Sequence, residues 1–138
     1  MDPVPSTGHQ TRIRVRYAET DQMGIVYYAN YLVWMEVARV EFCRFLGFHY
    51  RDMELEDGVL LAVVEAHCRY LRPARFDEEI AIVTSIAEAS SRMVRFGYQM
   101  FNTPGRLVAR GETKHMFLSR DLRPVRLPGK YRGMFGMV

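Results

Sequence analysis

Two carboxylates, Glu19 and Asp21, are separated by a single residue in the segment YAETDQMG, shortly before a long apolar run. An ionised carboxylate beside a carbonyl group can attack it or can take a proton from water. The amides at a helix N-terminus carry partial positive charge and can stabilise the oxyanion that such an attack creates. The segment is therefore a candidate site for acyl-group chemistry, although two solvated loop acids would produce the same pattern.

The residues after Gly24 predict one long helix directly behind this acidic segment. Six apolar residues recur with helical spacing and would form a stripe roughly 100° wide: Tyr31, Met35, Ala38, Phe42, Phe45 and Leu46. Four charged residues fall off the stripe: Glu36, Arg39, Glu41 and Arg44. Asn30 is the expected N-cap, and Gly47 is the expected stop.

Alternating or β-rich segments predict five strands, over residues 12–17, 59–71, 79–87, 92–101 and 106–118. In the first strand, Ile13, Val15 and Tyr17 would face the core and alternate with arginines. The segment 59–71 is too long to be uniform, so a bend or a bulge is expected in it. The sequence NTPG at 102–105 predicts a turn. Residues 47–58 and the segment from Arg123 onward are expected to be irregular.

The resulting order, β-α-β-β-β-β, favours an α+β fold. Short connections between consecutive strands favour antiparallel pairing. One helix cannot cover both faces of a flat sheet, so an antiparallel sheet wrapped around one long central helix is the natural solution. Residues 1–10 are expected to be a flexible N-terminal tail, and residues 11–138 a single domain.

Composition narrows the class of ligand. The chain has 138 residues with a formal net charge of +3, which suits small polyanions such as nucleotides or coenzyme A. The arginines are scattered, so nucleic acid is not an expected partner. The histidines and cysteines lack metal-ligand spacing, and no metal or cofactor is expected. The polar N-terminus predicts no secretory signal, no apolar run is long enough for a membrane span, and Cys43 and Cys68 are expected to be buried thiols of a cytoplasmic protein.

The stretch from Tyr17 to Tyr31, YAETDQMGIVYYANY, resembles the signature of hotdog-fold acyl-CoA thioesterases of the 4-hydroxybenzoyl-CoA thioesterase type. The segments YLRPARFD, from Tyr70 to Asp77, and RPVRLP, from Arg123 to Pro128, are similar to two further parts of that family. Together the resemblance covers about residues 12–128 in unbroken order. It implies the hotdog fold, which agrees with the strand and helix order above.

The resemblance also implies roles for individual residues. Asp21 matches the catalytic carboxylate, which acts as nucleophile or as general base. Main-chain N–H groups near Tyr28 would polarise the thioester carbonyl. Five residues would contact the substrate: Gly24, Ile25, Val26, Leu60 and Arg92, the last through a coenzyme A phosphate. Two positions depart from the common pattern: Glu19 stands where Asp is commoner, and Tyr28 stands where one branch has His.

Family members form homodimers, often paired into homotetramers with active sites at the subunit interface, and the same assembly is expected here. The implied reaction is hydrolysis of an acyl- or aryl-CoA to a free acid and coenzyme A. Two alternatives stay open. A hotdog dehydratase or hydratase would use related thioesters but usually needs a His beside the acid, and the signature loop has none. A non-catalytic acyl-CoA binding protein would need no acid.

Overall fold

In the computed structural model, which describes residues 8–137, five strands form one antiparallel sheet. The strands are β1 (His9–Arg14), β2 (Leu60–Tyr70), β3 (Glu79–Ala89), β4 (Met93–Phe101) and β5 (Leu107–Leu118). Their spatial order is β1-β3-β4-β5-β2, so β1 and β2 are the two edges. The helices are α1 (Asn30–Leu46), α2 (Tyr50–Asp57) and α3 (Gly129–Arg132), with a single 3-10 turn at Tyr17–Glu19. Among the described residues, no helix is long and apolar enough to cross a membrane.

The long helix α1 packs against the inner face of the sheet, as the α+β prediction requires. Met35 and Ala38 of α1 are completely buried, in one core with the inward-facing residues of the strands. The predicted inner face of β4 is confirmed, because Val94, Phe96, Tyr98 and Met100 are all buried. The predicted bulge in β2 is also confirmed, since its register with β5 shifts between Val63 and Glu65.

Three details of the α1 prediction are wrong. Phe45 is 62% exposed and stacks on the His9 ring at 4.5 Å instead of entering the core. Arg39, predicted to lie off the apolar stripe, is buried. Asn30 does not cap the helix, because it is already helical and its Nδ2 donates to the Glu19 carbonyl at 2.9 Å. Gly47 ends the helix as predicted, with a left-handed φ of 114° that favours glycine.

The segment 47–58 is not irregular, because most of it forms α2. Met53 is the one fully buried residue of this helix, and Gly58 ends it with a φ of 64°. The Arg120 guanidinium donates to the Leu55 carbonyl, near the end of the helix, and to the Glu54 carbonyl, which also accepts the Gly58 amide. Helix α2 therefore depends on partners that are distant in sequence.

The C-terminal segment is also more ordered than expected. It forms α3, and Tyr131 lies in the core with its ring 5.1 Å from that of Phe48. At the other end of the chain, β1 starts at His9, so the last residues of the predicted tail belong to a strand, while residues 1–7 of that prediction lie outside the described part of the chain. Tyr17 falls beyond β1 and is exposed, contrary to the predicted alternation.

Candidate active site

The loop that carries Asp21 is a tight reversal held by main-chain hydrogen bonds. The Asp21 amide donates to the Ile25 carbonyl at 2.9 Å, and the Gly24 amide donates to the Asp21 carbonyl at 3.0 Å. Gly24 has a φ of 79°, which a residue with a side chain rarely adopts. A further bond, from the Val26 amide to the Ala74 carbonyl at 2.8 Å, ties the reversal to the segment after β2. The sequence of the loop therefore fixes where Asp21 stands.

The Asp21 carboxylate is half-buried and only partly occupied. Its Oδ1 accepts the Met23 amide at 2.8 Å, which holds the side chain against its own loop. Its Oδ2 has no donor among residues 8–137. One carboxylate oxygen is therefore anchored and the other is available to a ligand.

Glu19 has the opposite character. Its side chain is buried, and both carboxylate oxygens are occupied: Oε1 by the Arg16 amide at 2.8 Å and Oε2 by the Trp34 indole N–H at 2.8 Å. Its own carbonyl accepts the Tyr27 amide at 2.8 Å. Glu19 therefore joins the acidic segment to α1 and has no free oxygen for chemistry.

The start of α1 presents main-chain donors next to this loop. Within the described part of the chain, the amides of Tyr28 and Ala29 have no hydrogen-bond acceptor. The Tyr28 carbonyl accepts the Tyr70 hydroxyl at 2.9 Å, which fixes the direction of this turn. Free amides at a helix N-terminus bind an anionic oxygen well.

Asp21 and Tyr28 line the same cleft, of about 500 Å³. Its walls are mostly apolar or aromatic: Met23, Ile25, Val26, Tyr31, Tyr70, Leu71, Arg72 and Pro73. Burial raises the pKa of Tyr31 to about 12, and it likewise raises the pKa of Tyr70 to about 12. Both phenols are therefore neutral at physiological pH, and the Asp21 carboxylate is the acidic side chain of this cleft.

Leu60 and Arg92, the other two expected substrate contacts, lie far from this cleft within one chain. Leu60 pairs with Leu118, and the Arg92 carbonyl accepts the Phe117 amide at 3.3 Å, whereas Tyr70 pairs with Ala109 at the other end of β5. Ten residues of strand at about 3.3 Å each separate these ends by about 30 Å. One protomer thus brings together Asp21, Ile25, Val26 and Tyr28, with Gly24 in the loop, but not Leu60 or Arg92.

Some residues of the cleft carried no predicted role. Tyr31 was assigned only to the core, and Tyr70, Leu71 and Arg72 follow Asp21 by about fifty residues in the sequence. The segment YLRPARFD did carry a signal, since it is one of the segments that resemble the family. A position inside a resemblance gives no contact by itself, so its place beside Asp21 required the fold.

Comparison with known proteins agrees with this geometry. Residues 15–133 match the Thioesterase-like superfamily. The chain is 43% identical to "Putative acyl-CoA thioesterase YneP" of Bacillus subtilis (strain 168), over 79% of this chain and 78% of that protein. It is 30% identical to the acyl-CoA thioester hydrolase YbgC of Escherichia coli O157:H7, over 72% of this chain and 74% of that protein.

The fold has a similar match among solved structures. The crystal structure of a DHNA-CoA thioesterase from Staphylococcus aureus superposes with a TM-score of 0.91 at 31% identity, over 94% of this chain and 89% of that one. The hotdog architecture is thereby confirmed, and the chain belongs to the thioesterase-like superfamily.

Proposed function

We propose that the protein hydrolyses acyl-CoA thioesters to a free acid and coenzyme A. One observation carries the proposal: among the described residues, one Asp21 carboxylate oxygen has no donor, and Asp21 shares its cleft with Tyr28, whose amide has no acceptor there. Relatives named as acyl-CoA thioesterases support the same reaction. The finer assignment, to the 4-hydroxybenzoyl-CoA thioesterase type, rests on the signature around Asp21 and is part of the proposal.

The proposed chemistry uses the main-chain amides near Tyr28 and the carboxylate of Asp21. The thioester oxygen accepts hydrogen bonds from the amides near Tyr28, which become stronger as negative charge develops on it. Asp21 either attacks the carbonyl carbon, with water later releasing the acid from the resulting anhydride, or takes a proton from an attacking water. In both routes the C–S bond breaks, and the sulfur leaves as a thiolate that is protonated to coenzyme A.

The complete site is proposed to need a second copy of the chain. Strand β2 is an edge of the sheet, and apolar side chains beside it and on α1 are exposed: Leu32, Val33, Val37, Val63 and Val64. If two β2 strands pair antiparallel, the Leu60 end of one copy meets the Tyr70 end of the other. Leu60 and Arg92 lie at the end of β2 and β5 that is opposite the Asp21 cleft, about 30 Å away along the strands, and this favours a homodimer, or a homotetramer built from two of them.

Gly24 is proposed to contact the substrate from the loop. Ile25 and Val26 are proposed to contact it from the wall of the cleft. Arg92 is proposed to bind a coenzyme A phosphate from across the interface. The cytoplasm is the proposed location, supported by Cys43 and Cys68, which are both free thiols. The hydratase alternative is weaker, because no histidine lies among the residues that line the cleft in the described part of the chain.

Release of free thiol from a panel of aryl-, short-chain and long-chain acyl-CoAs tests the proposal. The parent protein should release thiol from at least one member, and Asp21→Asn should not do so at a comparable rate. Hydration of enoyl-CoA without thiol release would favour the hydratase alternative. Binding of acyl-CoA without any reaction would favour the non-catalytic one.

A further inference from the structure

A second cleft lies farther along α1 and β2 than the cleft of Asp21. On α1, three residues follow Tyr28 at helical spacing: Leu32, Glu36 and Arg39. On β2, Tyr70, Ala66 and Val63 pair with buried residues of β5 and so face inward. Tyr28 and Tyr70 line the cleft of Asp21, whereas the remaining residues, with Val33 and Thr113, line a second cleft of about 280 Å³.

Arg39 is a buried cation in this second cleft, which Glu36 also lines without forming an ion pair with it. Arg39 is only 9% exposed. Among residues 8–137, no carboxylate lies within 4.0 Å of its guanidinium. Its one hydrogen bond goes from Nη1 to the Tyr98 hydroxyl at 3.1 Å. A guanidinium has five N–H donors, and a buried charge without a partner is costly. The arrangement therefore favours an anion from outside the described chain.

A series of hydrogen bonds through Tyr98, Thr113 and His115 holds the Arg39 side chain in place. The Tyr98 hydroxyl contacts the Thr113 hydroxyl at 2.7 Å, and Thr113 contacts Nε2 of His115 at 2.8 Å. Burial lowers the pKa of His115 to about 4, so the imidazole is neutral and Nε2 can accept. Tyr98 then accepts from Arg39 and donates to Thr113, which donates to His115. Because Tyr98 supplies only an oxygen to Arg39, the remaining guanidinium donors are left for the cleft.

We propose that the second cleft holds the far end of the substrate's acyl group and that Arg39 binds a carboxylate there, which makes ω-carboxyacyl-CoA the preferred substrate class. The inference rests on the proposed thioesterase function. Leu32, Val33 and Val63 supply an apolar wall for the methylene chain, and because they also belong to the face assigned above to the homodimer, the second cleft lies at that interface. Arg39 lies eleven residues beyond Tyr28, about 16 Å along a helix axis at 1.5 Å per residue. Its side chain leans back towards the N-terminus, which shortens the span that the acyl group must bridge.

Matched substrate pairs test the proposal. Each pair has the same chain length with and without a terminal carboxylate: adipoyl- and hexanoyl-CoA, suberoyl- and octanoyl-CoA, and sebacoyl- and decanoyl-CoA. The two members of a pair are compared by their kcat/KM for thiol release. The parent protein should prefer the carboxylated member of at least one pair by about tenfold or more, as a charge-assisted hydrogen bond predicts. Arg39→Gln should abolish that preference. The control Arg44→Gln, on an exposed face of the same helix, should retain it. Equal ratios in the parent protein and Arg39→Gln would overturn the proposal.

A binding measurement separates this proposal from the proposed activity. Titration calorimetry with suberate requires no hydrolysis: the parent protein should bind it, and Arg39→Gln should not. If no acyl-CoA is hydrolysed but suberate binding depends on Arg39, the activity fails and the anion site stands. If the parent protein does not bind suberate, the anion site fails. A fall in oligomer mass for Arg39→Gln, with unchanged substrate ratios, would instead show that Arg39 binds a carboxylate of a second copy.

If Arg39→Gln does not fold, two milder variants still test whether Arg39 binds the carboxylate. Tyr98→Phe keeps the cation and removes only the hydroxyl that positions it, and Arg39→Lys keeps the charge without the planar fork. Both variants should bind suberate more weakly than the parent protein and show a smaller preference for carboxylated substrates. Parent-like behaviour of both would overturn the proposal.

Discussion

The indole N–H of Trp34 donates to the buried carboxylate of Glu19 at 2.8 Å, and this bond joins the acidic loop to the first turns of α1. Asp21, two residues later, is half-buried, and its Oδ2 has no donor in the part of the chain that the structure describes. The two acids of the loop, which look equivalent in sequence, thus have different environments. Glu19 joins the loop to α1, whereas Asp21 has an oxygen that a ligand can reach.

Exchange of each acid for its amide should separate these roles. Asp21→Asn keeps the shape and removes the charge, so kcat should fall by at least about 10²-fold while folding is retained. Glu19→Gln should lower kcat much less, but it places an NH₂ group against N–H donors and should reduce the free energy of unfolding by about 1–3 kcal/mol. Thiol-release kinetics and urea denaturation of both variants measure the two effects. Near-parent turnover by Asp21→Asn on every substrate would contradict the assignment.

Coenzyme A binding should depend on Arg92 more than on other exposed arginines. Arg92→Ala should raise KM more than it lowers kcat, because a phosphate contact contributes equally to the ground state and the transition state. The KM of the parent protein should rise with salt, since the contact is between exposed charges. Arg51→Ala, on the exposed face of α2, is the matched control and should leave KM unchanged. An unchanged KM for Arg92→Ala would remove this residue from the site.

The assembly should depend on the exposed apolar face of α1 and β2. The parent protein should have the mass of a dimer or tetramer by light scattering at micromolar concentration. Val33→Lys places a charge on the proposed interface and should lower that mass. Leu55→Lys is the control, because Leu55 is 66% exposed on α2, away from this face. A monomeric parent protein would exclude the proposed interface and a site completed by a second copy.

Alternation predicts the inward face of β4, whereas helical spacing predicts the core face of α1 only in part. The strand faces depend on local side-chain periodicity, so the buried Val94, Phe96 and Tyr98 follow from their spacing alone. Helix α2 could not be predicted in this way, because its sequence YRDMELED has one buried residue and little periodicity. The Arg120 guanidinium that caps it lies more than sixty residues away. Its helical state is therefore a tertiary effect.

The candidate site was predictable in part for similar reasons. The Asp21 loop is contiguous, so its signature contained the acid, the glycine and the start of the helix. The burial of Arg39 was not predictable, because an arginine at an off-stripe position ordinarily faces solvent, and Tyr98 lies 59 residues away. The separation of Leu60 from Asp21 was invisible for another reason: a match to a family gives positions in the chain but not the copy of the chain on which each residue acts.

Protonation of His115 should make the stability depend on pH. Burial lowers its pKa to about 4, from an ordinary value near 6.5, so between these values the unfolded state binds more protons than the folded state. The free energy of unfolding should therefore rise as pH increases from 4 to 6.5, by up to about 3 kcal/mol from this group. Urea denaturation of the parent protein and of His115→Gln should show a flatter profile in the variant. His49→Gln changes an exposed histidine and should keep the parent profile.

A close approach of β2 to β5 should make Gly111 hard to replace. A Cβ atom there would lie 2.2 Å from the His67 carbonyl oxygen and 2.5 Å from Cε of Met35. The methionine can move, but the carbonyl belongs to the paired strand, so the two strands would have to separate. Gly111→Ala should reduce the free energy of unfolding by about 1–3 kcal/mol, as overpacking of a core does. Gly133→Ala, where nothing lies within 4 Å, is the control. Equal urea midpoints for the two variants would show that β2 can shift freely at this position.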